Sequence, residues 1–153
     1  MERVHKWRLD TPSDEPLMSS ISTIALSGMS AATRRLDVSA SNIANASSTG
    51  ALPNADGTPT AGAPRAYAPL ALVQTASAGG GTQSTAMTVV PSTIAVSDPQ
   101  AAFANQDGFV AAPNIDITQE MIGQMVASYS FAANAAALTA GNRMTGALLD
   151  ITA

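Results

Sequence analysis

The sequence predicts an α+β fold: long N- and C-terminal helices pair as a coiled coil, with a small β-rich, partly irregular middle between them. Three observations predict it. Residues 20–45 and 117–149 carry apolar and small side chains at helical spacing. The stretch between them is rich in Gly, Pro, Ser and Thr and holds short strand-like runs. The middle is also too short and polar to cover two apolar seams, so the terminal helices must bury them on each other or on neighbouring molecules. The expected organisation is a disordered extension over residues 1–18, a helix over 19–46, a β-rich and loop region over 47–113 and a second helix over 114–153.

The extension differs in composition from the rest. It holds His5 and Trp7, which occur nowhere else, in a cluster of mixed charge that leads into Thr11-Pro-Ser-Asp-Glu-Pro16. Such a segment buries little and is expected to be disordered. Met18 is a sensible alternative start.

Helix one is expected from about Ser20 to Asn45. Ser19 or Ser20 can accept a hydrogen bond from a free backbone N–H and cap it. Ala25, Met29, Ala32, Leu36, Ser39, Ile43 and Ala46 alternate at steps of four and three, which is coiled-coil spacing. Ser39 interrupts the apolar run, and the small residues predict a close, shallow fit. Asn45 and the run Ser47-Ser-Thr-Gly50 favour turn over helix and end it.

A loop follows over residues 51–64. Strands are expected at Tyr67–Gln74, Ala86–Val90 and Thr93–Val96, the first two joined across the glycines between Ala78 and Thr82. Pro69 and Pro91 confine their strands to sheet edges. Asp98-Pro99 ends the third.

Helix two is expected from Ile117 to about Leu149, a length of about 50 Å. Asp116 is placed as N-cap, with Gln119 in capping-box position. Met121, Met125, Tyr129, Ala132, Ala136, Ala140, Met144 and Leu148 recur on one broad face. Gly123, Gly141 and Gly146 allow close helix approach, and each costs about 1 kcal/mol relative to Ala.

Composition excludes several function classes. Hydrophobic residues are 46% but aromatics only 4%, so much of the apolar content is Ala and the core is thin. The monomer is therefore expected to be marginal and to gain stability from partners. A net charge of −4, with Arg34, Arg35, Arg65 and Arg143 forming no stripe, argues against nucleic acid. With no Cys and one His, the common zinc ligand sets and Cys–His nucleophile pairs are missing. Asn54–Gly57 and Asn105–Gly108 faintly resemble calcium loops but read as Asp-Gly turns. The glycines at 79–81 lack the Lys of a phosphate-binding loop. No cleavable signal is expected at this start, and no apolar run suits a membrane span. Catalysis, cofactors and metals are not expected.

At both ends the residues resemble a known family. Ser27-Gly-Met, Arg35-Leu-Asp-Val and Ala40-Ser-Asn-Ile-Ala-Asn45 are similar to the N-terminal signature of flagellar basal-body rod proteins. Asp107-Gly-Phe-Val110, Pro113-Asn-Ile-Asp-Ile117, Glu120-Met121, Ala127-Ser128, Phe131, Ala133-Asn134, Met144 and Leu149-Asp-Ile151 are similar to the C-terminal one, most of all in the proximal-rod type. The resemblance covers residues 19–50 and 96–151.

It implies a structural part of the bacterial flagellum, needed for motility and located in the periplasmic rod of the basal body. Such a subunit is exported unfolded through the flagellar type III apparatus without a cleaved signal. It polymerises helically with itself and other rod subunits into a hollow shaft, without spanning the membrane. The implied assembly interface comprises Met29, Leu36, Asp37, Val38, Asn42, Ile43, Asn45, Met121, Met125, Phe131, Asn134, Met144 and Leu149. Within it, Leu36, Val38 and Ile43 would pack against Met121, Met125 and Met144, while Asp37, Asn42, Asn45 and Asn134 fix register. Tyr129 and Asn142 stand where Arg and Lys are common in the subfamily. The rival readings are another rod or hook-type axial protein and a small periplasmic enzyme or binding domain.

Overall fold

The computed structural model describes residues 17–54 and 57–151, with element order α1 (Leu17–Ala44), β1 (Leu70–Ala76), β2 (Thr82–Thr88), β3 (Thr93–Ser97), β4 (Phe109–Pro113) and α2 (Ile117–Ile151). The expected extension lies, over residues 1–16, outside the described residues. The chain is α+β, with two long helices at its ends and two small sheets between them.

The helices pack antiparallel. Ile21 lies against Gly141, Gly28 against Asn134, and Ser39 and Asn42 against Glu120. On α1 the expected seam is where the helix closes on its neighbours: Ala25, Ala32 and Ser39 are buried, and Met29, Leu36 and Ile43 are half-buried between them. Ala31 and Asn42 are buried on the flank of that seam. Ser39 does not weaken it, because its Oγ donates to the Glu120 carbonyl at 2.9 Å.

On α2 the seam differs from the expected face. Its inward residues are Glu120, Gln124, Ala127, Asn134, Leu138, Gly141 and Thr145, which follow the same four-three rhythm in another phase. Met121, Met125, Tyr129, Met144 and Leu148 stand 57%, 58%, 72%, 50% and 52% exposed. The two buried positions on α2 among the described residues, Ala127 and Gly141, are small, and the methionines stand outside the intramolecular contact. Small residues let the backbones approach closely at Gly28 and Gly141, where Asn134 and Ile21 fill the space a side chain would take.

The helix start matches the expected one. Asp116 Oδ1 accepts from the N–H groups of Thr118 (2.9 Å) and Gln119 (3.1 Å), and the Asp116 carbonyl accepts from Glu120 N–H at 3.0 Å.

Strands β1 and β2 form an antiparallel hairpin in which Leu70 faces Thr88 and Ala76 faces Thr82. The second strand begins earlier than expected, at Thr82, because the Gly80 and Gly81 turn, both at positive φ, closes immediately before it. The third strand is as expected but pairs with β4, Val96 facing Val110, a strand absent from the sequence reading. Gly50 and Ala111 bond each other through both N–H groups, at 2.9 and 2.8 Å, and tie the end of α1 to β4. A Cβ on Gly50 would collide with the backbone of Arg65 and Ala66, so only Gly fits this crossing.

Candidate functional site

The polar centre of the molecule is Asn42, which is fully buried. Its Nδ2 donates to the Leu70 carbonyl at 2.8 Å and to Glu120 Oε1 at 2.6 Å. Its Oδ1 accepts from Leu70 N–H and from the Tyr67 hydroxyl, both at 3.1 Å. All four hydrogen-bonding positions of the amide are filled. One side chain therefore joins α1, the start of β1 and the first turn of α2. Around it, Ser41 Oγ and Tyr67 OH lie 3.1 Å apart, and Tyr67 N–H donates to Ser48 Oγ at 3.1 Å. A buried polar group satisfied in one geometry only resists sliding, since any other register leaves it unpaired.

The hairpin rests on α1 through backbone contacts. Thr82 N–H donates to Ser27 Oγ at 3.1 Å, and Arg34 Nη1 donates to the Ser84 carbonyl at 2.9 Å. A Cβ on Gly81 would run into Ser27 Oγ, so the turn sits directly on the helix. An isolated two-stranded hairpin is marginal in water, and this support is what holds it.

Twelve of the thirteen interface residues expected from the sequence fall into three groups. Asn42 and Asn134 lie inside the helix pair, and Asn134 Nδ2 donates to the Ser130 carbonyl at 2.8 Å. Met29, Leu36, Val38, Ile43 and Asn45 are half-buried, with Asn45 Nδ2 donating back to the Ser41 carbonyl at 2.8 Å as α1 ends. Asp37, Met121, Met125, Phe131 and Met144 face outward. Leu149 lies on α2, but its side chain is outside what the structure describes. Sequence reasoning missed Tyr67 and Glu120 as partners of the buried amide, and Ser39 and Gly28 as close contact points with α2. For Ser39 and Gly28 the signal was available: a polar residue on a coiled-coil seam and a glycine in a helix interior both ask for a close partner.

Outside the seam, α2 shows a continuous apolar surface of Ile117, Met121, Ile122, Met125, Val126 and Tyr129. Scattered exposed apolar residues are ordinary, but a contiguous row along a helix marks an interaction surface. Among the described residues no group of three or more His, Cys, Asp or Glu could hold a metal ion, and no helix is long and apolar enough to cross a membrane.

The family described as "Flagella basal body rod protein" matches residues 23–51, and "Flagellar basal body rod FlgEFG protein C-terminal" matches residues 106–151. The flagellar basal-body rod protein FlgC of Salmonella typhimurium is 34% identical over 115 residues, covering 75% of this chain and 83% of the relative. The same protein of Salmonella typhi matches to the same extent. The chain belongs to the flagellar basal-body rod protein family. Its matched segments take in most of α1 with the Gly50 crossing, and β4 with α2. The two family-model segments of this rod-family chain are thus the paired helices and the strand beside them, and the 115-residue match to the relatives extends beyond them.

Proposed function

We propose that the chain is a non-catalytic structural subunit of the flagellar basal-body rod, of the FlgC-like proximal type. It polymerises helically through its terminal helices and forms part of the hollow drive shaft. One observation carries this reading. The two family segments coincide with the two paired helices, and α2 turns Met121, Met125 and Tyr129 away from its own chain. That apolar row becomes buried when subunits stack, and its burial supplies the driving force at ~25 cal/mol per Å².

In this account the helix pair is the load-bearing rod segment of each subunit, and the Asn42 network keeps it from slipping while torque passes along the shaft. The β1–β2 hairpin, held on α1, and the β3–β4 pair, tied to the chain after α1 at Gly50, face neighbouring subunits around the tube. The subunit reaches the rod through the flagellar export apparatus and meets self and other rod subunits there.

A clean in-frame deletion tests the reading. Cells are expected to stop swimming, and electron microscopy of their basal bodies is expected to show no complete rod. Normal swimming with intact rods would rule out an essential rod role.

A further inference from the structure

Two adjacent arginines on α1 have different surroundings. Arg34 donates to the Ser84 carbonyl at 2.9 Å. Arg35 is half-buried, and its guanidinium has no hydrogen-bond or ion-pair partner among the described residues. It lines a cleft of about 160 Å³ between α1, α2 and the β1–β2 hairpin, where Gln74, Thr82, Ser130 and Asn134 add polar groups. It also borders a second cleft of about 240 Å³ that runs towards Val38 and Glu120.

A guanidinium stays charged at any physiological pH. Partial burial strips some of its water, and without a counter-charge that costs stability. Its planar fork matches a carboxylate, which it can hold through two parallel hydrogen bonds. We propose that Arg35 is a docking point between subunits, receiving a carboxylate from a second copy of this chain. The proposal rests on the rod reading above and names one contact within it.

Three observations favour a second copy as the source. The chain carries 11 acidic against 7 basic residues, so every copy brings spare carboxylates. Asp37, Asp107 and Asp150 are exposed, and no described acid pairs with an arginine inside its own chain. The clefts are floored on the α2 side by the small residues Gly123 and Ala127, next in sequence to the exposed apolar Ile122 and Val126, so that helix offers apolar surface as well as the cleft to an incoming copy. In a head-to-tail helical assembly an acid on one copy meets the arginine of the next, a contact that no single subunit can satisfy. Glu120 borders the second cleft and repels a carboxylate there, so the first cleft, with donors at Gln74 and Asn134, is the receiving side.

The test uses the full chain in cells lacking the native copy, with copies per basal body counted by mass spectrometry and secretion measured separately. Wild-type chain absent from basal bodies would overturn the rod reading itself. With the wild type incorporated, Arg35→Glu is expected to lower incorporation by about tenfold or more, and Arg35→Lys to retain most of it. Secretion and helix content of both variants should match the wild type. Adding one of Asp37→Arg, Asp107→Arg or Asp150→Arg to Arg35→Glu is expected to restore incorporation. Full incorporation of Arg35→Glu overturns the proposal. Failure of every charge reversal to restore it also does so, and points to another kind of partner. If Arg35→Glu becomes harmless once residues 1–16 are removed, the carboxylate comes from the same chain and the proposal is again overturned.

Discussion

Gly28 of α1 and Asn134 of α2 lie so close that a Cβ on Gly28 would sit 2.5 Å from Asn134 Oδ1. Moving the Asn134 amide aside would break the bond from its Nδ2 to the Ser130 carbonyl. Helix propensity favours Ala over Gly by about 1 kcal/mol, while overpacking a tight contact costs about 1–3 kcal/mol. Gly28→Ala is therefore expected to lower stability in the wild-type background. In an Asn134→Ala background it should raise stability by about 1 kcal/mol. Urea unfolding of the four proteins of this cycle checks the reversal of sign.

Asn42 predicts a larger effect. Asn42→Leu removes four hydrogen bonds and leaves the Leu70 backbone groups without partners in a buried place. The expected loss is about 2–4 kcal/mol. Tyr67→Phe removes only the hydroxyl from the same network and should cost about 0.5–1.5 kcal/mol. Chemical denaturation measures both, and equal losses would contradict the central role given to the amide.

The N-cap gives a local test. Asp116 Oδ1 holds two N–H groups at the start of α2, and Asp116→Ala is expected to cost about 1 kcal/mol. Asp116→Asn should keep most of that. Circular dichroism during thermal unfolding reads the difference.

Both helices and the small β middle were legible in the sequence because they rest on local signals. Asp116 stands before an apolar-periodic run, and the glycines at 79–81 mark a turn. The α1 seam was legible too, since Ala25, Ala32 and Ser39 keep their spacing whatever lies opposite them. The α2 seam was not. Reading by hydrophobicity selects the large residues Met121, Met125 and Met144, whereas close helix approach selects small ones such as Ala127 and Gly141. The two rows share a rhythm and differ in phase, and phase is set by the partner. Strand β4 was hidden for a related reason. Phe109-Val-Ala-Ala-Pro113 has weak strand propensity and exists because β3 and Gly50 pair with it. The network around Asn42 joins residues far apart in sequence, so no window of sequence could display it.

The outward row on α2 separates folding from assembly. Met121 is exposed, so Met121→Asp should change monomer stability by less than about 0.5 kcal/mol. It is expected to be secreted normally and to fail to enter the rod. Leu36→Asp, at a half-buried position, should impair folding as well as incorporation. Swimming assays with secretion blots distinguish the two patterns.

The central claim is that the face of α2 carrying Met121 becomes buried between subunits. The chain contains no Cys, so in a Met121→Cys variant a single site on this chain takes up a thiol reagent. The measurement is maleimide labelling of that variant as secreted monomer and within isolated basal bodies. The account predicts rapid labelling of the monomer and strong protection in the rod. Equal labelling in both states would show that this face stays open in the assembled flagellum and would contradict the account.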